Sequence, residues 1–508
     1  MNIMKTDKEV LSSDDILKYI EDYETKIVPD LNKLWDYYTA KNTKILSKKA
    51  PDANSPDNRT VVAYGRKLVT TWTGYGWRPR YITYKATNET DQSIDNEDDI
   101  LDENGDVPDI KLTDDEIYVK ELQSTFNLNN EHIKTSRAGR NIGIFGLSYE
   151  IVYIDGVVNA TNTTLPVKAE PRFFTVDPRE MILLYNYDSE PKKKIAIRYY
   201  EVEKNKKYKV EVYYDTKVIL YDRIRDEENQ IWKLVLDSDY PNFFGKIPVV
   251  AYYAGDDMLG VIKPVLTEID DYDALMSDSM NEFDKFALAY MIMKRYAITN
   301  PIDMKTPGKQ SEVLANLKKK RIFENVPSDG EIKFLTKDIP TGFMEFMQKT
   351  LREQIHIQSH VPDFNYMATG NLSGAAIQRL MFDFENLVAS TEADFDVGLL
   401  ERIELITIIY AKTSRPIGTN DMITISHKRN IPQNLLEFAQ TAVQMKNAGF
   451  SAYLIADIMP DDIIPDVQVE LRRQQKELDM MTGGDIENGM GNEDNLDTID
   501  ENNIEDNL

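Results

Sequence analysis

The sequence contains no cysteine, and histidine occurs only four times in its 508 residues. The absence of cysteine excludes disulfide bonds, thiol catalysis and cysteine-ligated zinc. No uncharged stretch approaches the ~18 apolar residues that a membrane-spanning helix requires, so no membrane partner is expected. The N-terminal segment MNIMKTDKEVLSSDD lacks the apolar core of a signal peptide. We therefore expect a protein of the cytosol, or of a particle assembled there.

Motifs for nucleotide and metal chemistry are also missing. There is no Walker A loop, so ATP hydrolysis by this chain is not expected. The glycine-rich run GRNIGIFG (139–146) lies in a helical pattern, whereas a dinucleotide fingerprint follows a strand. His356 and His360 have the spacing of zincin ligands, but Ile357 stands where a zincin has its general-base glutamate. We predict no catalytic residue, no metal and no cofactor.

Negative charge dominates the sequence, with a formal net charge of −26. Residues 88–116, the acidic insert, carry 13 acids and one lysine, and residues 479–508, the acidic tail, carry 10 acids and no base. Such segments repel themselves and bury too little apolar surface to fold alone, so both are predicted to be disordered. Phosphate binding depends on Lys and Arg, so an acidic protein is a poor clamp for DNA. If this protein handles DNA, it must let the DNA slide and not hold it.

Hydrophobic periodicity predicts an α+β protein with several subdomains. Helices are predicted from an N-cap at Ser13 and near 114–127 and 130–144, and residues 149–253 alternate as an antiparallel β region does. A long helix from 261 has one apolar stripe, formed by Ile262, Val265, Leu266, Ile269, Tyr272, Met276, Met280 and Phe283. A second helix follows Pro340, with an apolar stripe formed by Met344, Met347, Leu351 and Ile355. A third, Ala375–Ala411, would span roughly 55 Å, with Gly398 as the candidate kink.

Four segments, in this order along the chain, carry a family resemblance. They are KLWDYYTAKN with PDNRTVVAYGRKLVTTWTGYGWRPRYITY, then GKIPVVAYYAGDD, then SGAAIQRLMFDFENLV, then KRNIPQNLLEFAQTAVQMKNAGFS. Together they resemble the tailed-bacteriophage portal proteins (head–tail connectors) of SPP1-type siphophages, over roughly residues 15–478. The sequence departs from that pattern at Arg78, where the family often has glycine, and at the turn NAGFS.

The resemblance implies a portal fold with named parts. They are a wing at 1–260 that includes the acidic insert, stem helix 1 at 261–285, a mixed α/β clip at 286–340, stem helix 2 at 341–361, a tunnel loop at 362–374, a long kinked wing helix with a return strand at 375–432, a helical crown at 433–478 and the disordered tail at 479–508.

The resemblance also implies a function. Portal proteins form rings of about twelve subunits at one capsid vertex, through which double-stranded DNA is packaged and ejected. Their partners are the terminase large subunit, a head–tail adaptor protein, and the major capsid and scaffolding proteins. They are structural proteins of the virion, present in the host cytoplasm during assembly, and not enzymes. The alternatives are an intracellular metal-dependent nuclease or other DNA-processing enzyme, which a magnesium-dependent degradation assay distinguishes, and another ring or scaffold component.

Three groups of residues become candidate sites under this resemblance. The stem acidic face would either repel DNA inside the channel or face outward and solubilise the stem; it comprises Glu268, Asp271, Asp278 and Glu282. The tunnel loop would either contact DNA or simply link two helices; its residues are Asp363, Phe364, Asn365, Tyr366, Met367, Thr369 and Asn371. The clip basic cluster would either meet an acidic partner or form a solvated turn; it comprises Lys318, Lys319, Lys320 and Arg321.

Overall fold

The computed structural model describes residues 4–49, 55–88, 112–155, 165, 169–204, 206–226, 231–287, 290–294, 328, 330–335, 341–364, 374–429, 435–458, 464, 470–471 and 473–474. The chain divides into two compact units, Met1–Asn430 and Ile431–Leu508. The clip basic cluster, the acidic tail and residues 89–111 of the acidic insert lie outside the described residues.

Four helices open the first unit: α1 (Ser13–Lys26), α2 (Val28–Tyr38), α3 (Thr43–Leu46) and α4 (Tyr64–Gly76). The N-cap of α1 is Ser12, one residue before the predicted cap, because its hydroxyl accepts the N–H of Asp15 while the Asp15 carboxylate accepts the N–H of Ser12. The predicted apolar positions Ile16, Ile20 and Tyr23 are buried.

The predicted β region forms two antiparallel sheets. Helices α5 (Asp114–Asn129) and α6 (Glu131–Phe145) precede it. One sheet has the order β1 (Met4–Lys5), β5 (Met181–Tyr185), β6 (Lys193–Glu203), β7 (Lys207–Tyr213), β8 (Lys217–Arg225) and β9 (Trp232–Pro241), with β1 parallel to β5. In the other, β3 (Leu147–Ile154) lies between β10 (Val249–Tyr253) and β4 (Pro171–Val176). Period-two alternation rich in Val, Ile and Tyr explains both.

Three long helices follow the sheets. They are α7 (Leu266–Ala287), α8 (Thr341–Gln358) and α9 (Gly374–Lys412). A hairpin of β11 (Tyr290–Lys294) and β12 (Glu331–Leu335) lies between α7 and α8 in the sequence. After α9, strand β13 (Ile423–His427) pairs with β2 (Ile82–Ala86). The second unit contains α10 (Leu435–Asn447) and α11 (Ala452–Ile458). The 39 residues of α9 correspond to roughly 58 Å.

The structure assigns Gly398 a packing role. It lies within the single continuous helix α9. A Cβ added at this position would lie 2.4 Å from the ring of Tyr252 and 3.3 Å from the carbonyl oxygen of Ala251. Close approach of α9 to β10 therefore accounts for glycine here, where the sequence suggested a kink.

The glycine-rich run 139–146 is likewise explained by packing. A Cβ at Gly139 would lie 2.1 Å from the Trp77 ring, and one at Gly143 would lie 2.8 Å from Trp72. The two indole rings stack on each other with centroids 4.4 Å apart. Helix α6 thus uses glycine to accommodate two buried tryptophans.

Residues 114–116 belong both to the acidic insert, predicted to be disordered, and to the helix predicted near 114–127, and the structure confirms the helix. Asp114, Asp115 and Glu116 form the first turn of α5, and Thr113 and Glu116 form its capping box. Asp115 is buried and accepts hydrogen bonds from the backbone and side-chain amides of Asn88, at 3.1 and 2.8 Å. A helix N-terminus favours negative charge, which explains why these acids fold.

Candidate functional site

The apolar stripe of α7 is buried along only part of its length. Val265 and Ile269 are fully buried, and Tyr272 is nearly so. Towards the C-terminal end, Met280 and Phe283 are exposed. The stem helix predicted from the sequence is therefore incompletely covered within one chain.

A second face of α7, which the sequence analysis missed, is a polar seam made of Asp270, Asp273 and Ser277, which are buried, and of Asn281 and Asp284, which are half-buried. Spacings of three and four residues place these side chains on one side of the helix. The described residues of segment 42–62, which are 42–49 and 55–62, lie along this seam. The three- and four-residue spacing of these polar residues was visible in the sequence. It did not indicate burial, because acidic residues on a helix usually face solvent.

The upper part of the seam holds both ends of segment 42–62. The Asn42 side chain donates to Asp270 and Asp273, at 2.9 Å each. The Val62 N–H donates to Asp273 at 2.8 Å, and the Lys44 ammonium lies 3.0 Å from Asp270. Asp273 is fully buried. Burial raises the pKa of the Asp273 carboxyl, although the hydrogen bonds from Val62 and Asn42 act to lower it.

The lower part of the seam continues the same contacts. The Thr60 N–H donates to the Ser277 hydroxyl at 2.9 Å. The Asn58 N–H donates to Asn281 at 2.7 Å, and its side chain donates to Asp284 at 2.6 Å. Backbone donors of an irregular segment are thereby satisfied by one helix, which fixes the path of the segment.

The stem acidic face lies beside the seam, and its four residues are all at least partly exposed. Asp278 pairs with Lys48 at 3.4 Å, and both side chains are more than half exposed. Glu282 lines a cavity of about 290 Å³ together with Lys48, Lys49 and Arg59. Cations of segment 42–62 therefore lie next to the second half of this face, which the sequence pattern alone did not predict.

Helix α8 packs against α7 by its predicted stripe of Met344, Met347, Leu351 and Ile355. Ile355 is fully buried and the other three are partly buried. The Gln348 amide donates to the Tyr272 hydroxyl at 3.2 Å. The two predicted stem helices thus lie together.

The base of the tunnel loop is anchored by ion pairs. Asp363 accepts hydrogen bonds from Arg352 of α8 at 2.7 Å and from Lys67 of α4 at 3.1 Å. The His356 ring lies 2.8 Å from the Val361 carbonyl oxygen. Partial burial would raise the pKa of the Asp363 carboxyl, but the hydrogen bonds from Lys67 and Arg352 lower it overall.

That Asp363 and Phe364 face DNA stays a prediction, to which the structure adds contacts of both residues within their own chain. The Asp363 carboxylate is held by cations of its own chain, and Phe364 is partly buried against the core. Five predicted loop residues lie outside the described residues: Asn365, Tyr366, Met367, Thr369 and Asn371.

The structure separates the two histidines of the H-x-x-x-H spacing. His356 is buried in α8, whereas His360 is exposed beyond the end of that helix, with a φ of 56°. Among the described residues, no group of three or more His, Asp or Glu side chains is arranged to hold a metal ion. Within the same residues, no helix is both long and apolar enough to cross a membrane.

A charged cluster joins the return strand β13 to α9. Arg429 pairs with Glu392 through two contacts of 2.6 Å and with Glu385 at 2.8 Å. His427 lies 2.8 Å from Asp396. Burial lowers the pKa of His427, but hydrogen bonds to Asp396 and Glu392 outweigh it and raise the pKa to about 9.

The raised pKa of His427 predicts a pH-dependent stability. The folded state holds the proton more tightly than the unfolded chain, so the stabilisation is fully present below about pH 6.5 and is lost as pH rises to about 9. We expect His427→Gln to lower the free energy of unfolding by about 3 kcal/mol at pH 6. In urea titrations from pH 6 to 9.5, the difference in free energy of unfolding between the unmodified protein and His427→Gln should become smaller as pH rises. His360→Gln is the matched control. A difference that stays constant with pH would contradict the raised pKa of His427.

A second prediction concerns the loop base. Asp363→Ala leaves the cations Arg352 and Lys67 facing each other, so local opening should become easier by about 1–2 kcal/mol. Limited proteolysis within 362–374 should then be roughly 5- to 30-fold faster. Asp383→Ala is the control. Asp383 is exposed and lines, together with Asp363, a cavity of about 730 Å³. Equal cleavage rates in both variants would show that Asp363 does not anchor the loop.

Comparison with known proteins identifies the family of this chain. The sequence matches the family described as "Phage portal protein, SPP1 Gp6-like" over residues 17–481. The portal protein of Bacillus phage SPP1 is 23% identical over 311 residues, which are 58% of this chain and 59% of that protein. The aligned part of this chain therefore spans less than two thirds of that relative.

Chains of two solved particles are also among the matches. The neck of an empty GTA particle, computed with C6 symmetry, has a chain with a TM-score of 0.41 and 11% identity, covering 83% of this chain and 90% of that one. The virion of a native gene transfer agent (GTA) particle has one with a TM-score of 0.39 and 11% identity, covering 80% and 95%. The family match over residues 17–481 shows that this chain belongs to the SPP1 Gp6-like phage portal proteins.

Proposed function

We propose that this chain assembles into a closed ring of about twelve copies at one vertex of a phage capsid. The ring is the conduit for double-stranded DNA during packaging and ejection. It has no catalytic activity of its own, and a separate terminase supplies the ATP hydrolysis. The observation that carries this proposal is the family match over residues 17–481.

Helices α7 and α8 form the stem in this proposal. The acidic residues Glu268 and Asp271 keep DNA away from the channel wall, since a wall of basic residues would bind phosphates and slow the polymer. Asp278 and Glu282 contribute less net charge, because Lys48, Lys49 and Arg59 lie beside them.

The tunnel loop contacts the moving DNA through Asn365, Tyr366, Met367, Thr369 and Asn371. Asp363 and Phe364 hold the base of this loop, as their contacts with α4, α8 and the core support. A fixed base lets the loop change conformation without detaching from the stem.

The clip, residues 286–340, is the proposed docking platform for the terminase large subunit and the head–tail adaptor. The basic cluster Lys318–Arg321 attracts an acidic surface on one of them. The wing and crown meet the major capsid and scaffolding proteins.

Electron microscopy of the purified protein, combined with its mass in solution, tests the ring. We expect particles with a central hole wide enough for duplex DNA and a mass about twelve times the subunit mass of 58.5 kDa. Particles without a hole, or a monomer that stays monomeric with scaffold and capsid proteins present, would contradict the proposal. DNA degradation in the presence of magnesium would favour the nuclease alternative instead.

Reversal of Glu268 and Asp271 to lysine tests the channel wall. We expect slower packaging, with a rate that recovers as salt screens the new charges. Reversal of Asp278 and Glu282 is the comparison and should have the smaller effect. An unchanged packaging rate in the Glu268/Asp271 variant would show that this face does not line the channel.

A further inference from the structure

Helix α9 carries an exposed face without charge. We name it the α9 stripe; its residues are Phe382, Asn386, Ala389, Ser390, Ala393 and Val397, and all six are exposed. Spacings of three and four residues align them over about four turns. Phe382 and Val397, at its two ends, are 63% and 67% exposed. Small residues between two large ones leave a shallow groove, which suits a close helix–helix contact.

Helix α8 carries an exposed apolar face of the opposite shape. We name it the α8 stripe; it comprises Phe343, Phe346, Thr350 and Ile357. Phe343, Phe346 and Ile357 are each more than 60% exposed. Thr350 is half-buried, and all four positions lie on a different side of α8 from Met344, Leu351 and Ile355, which pack towards α7. The stripe projects large side chains where the α9 stripe offers small ones.

We infer that the α8 stripe of one copy docks on the α9 stripe of the next copy, so that these two unlike faces close the ring. This inference rests on the ring of the proposed function and names the surfaces that form it. A ring requires a heterologous interface, in which each subunit presents two different and complementary faces. Large apolar side chains on one stripe and small ones on the other provide that difference.

Charge supports the choice of a second copy as the occupant. Each copy has a net charge of −26. The free-energy cost of contact between copies is therefore lowest where no acidic side chain is buried. The ten positions of the two stripes include no charged residue. Aromatic and other large apolar side chains, as on the α8 stripe, are also the usual anchors of an interface.

Cross-linking tests the contact directly. Because the chain has no cysteine, the double variant F346C/S390C presents only the two introduced thiols. After treatment of the assembled protein with a short bismaleimide, we expect a ladder of covalent oligomers on denaturing gels. F346C alone and S390C alone should give no species beyond dimer. Assembled rings that yield no ladder would overturn this inference and leave the proposed function standing, whereas absence of any ring would overturn the ring itself.

Charged substitutions test the same contact through the mass of the protein in solution, which reports the assembled fraction. F346E and S390E place an unpaired carboxylate in the contact, and each should reduce the assembled fraction at least about tenfold at equal protein concentration. The matched controls are L128E and S124E, at exposed positions of α5, and these should assemble as the unmodified chain does. Melting temperatures of the unassembled proteins separate misfolding from loss of assembly. Normal assembly of F346E and S390E would overturn the inference.

Discussion

Replacing Arg402 with methionine is expected to lower the free energy of unfolding of the first unit by about 3–5 kcal/mol. Arg402 lies on α9 and is fully buried. Its guanidinium donates to both carboxylate oxygens of Glu150 on β3, at 2.7 and 3.1 Å, and to Glu131 on α6 at 3.0 Å. Methionine fills a similar volume but leaves two buried carboxylates without their cation.

Burial alone raises the pKa of Glu150, and Arg402 acts against that rise. Without Arg402, burial favours the protonated form of Glu150, so the stability of Arg402→Met should improve as pH falls below neutrality. Arg402→Lys should restore only part of the loss, because an ammonium cannot make the two parallel hydrogen bonds to Glu150. Urea unfolding at fixed protein concentration, followed by tyrosine and tryptophan fluorescence, measures all of these effects.

Two controls separate the cost of unpaired charge from the cost of lost packing. The triple variant R402M/E131Q/E150Q removes all three charges and should recover a substantial part of the lost stability. Lys246→Met breaks an exposed ion pair with Glu404, also on α9, and should cost less than about 1 kcal/mol. A loss for Arg402→Met as small as that for Lys246→Met would contradict the importance of the buried cluster.

Replacing Asp273 with alanine is expected to release segment 42–62 from α7, at a cost of about 2–4 kcal/mol. The Val62 N–H and the Asn42 amide both donate to this buried carboxylate. Alanine leaves these donors without an acceptor where water has little access. Hydrogen exchange of the Val62 amide should accelerate, and proteolysis within 42–62 should begin at lower urea concentration than in the unmodified protein.

Asp271→Ala is the control for this release. Asp271 lies two residues away on the same helix but is exposed, so its removal should change stability by less than about 0.5 kcal/mol. Asp273→Asn keeps an oxygen acceptor and should fall between the two. Unchanged exchange of the Val62 amide in Asp273→Ala would show that the seam does not hold the segment.

The sequence predicted much of the fold because helices and strands follow from local periodicity. The α+β portal fold inferred from the resemblance is confirmed by the family match and agrees with the order of elements. The apolar stripes of α7 and α8 were identified from their spacing, and Val265, Ile269 and Ile355 are buried as predicted, whereas Met280 and Phe283 are exposed. One boundary was wrong by a residue, since the N-cap of α1 is Ser12 and not Ser13, whereas the helix predicted near 114–127 is confirmed as α5.

The candidate sites were predicted less completely. The spacing of acids on α7 showed one acidic face, which includes the exposed Asp271, but it did not predict the polar seam in which Asp273 is buried. Asp363 fell in a loop and was assigned to DNA contact, and its ion pairs with Arg352 and Lys67 were not predicted. Both outcomes depend on partners brought from other elements.

By itself, the sequence determined the class of elements, the absence of cysteine chemistry, the concentration of negative charge in the insert and tail, and the family resemblance. Only the tertiary structure decided which acids are paired, why Gly139, Gly143 and Gly398 are glycine, and where Arg402 finds its carboxylates. Asn42 and Asp270 lie 228 positions apart, and Arg402 and Glu131 lie 271 apart. Periodicity reports the balance between burial and exposure along one element, whereas the partner of a buried polar group is set by how distant elements pack.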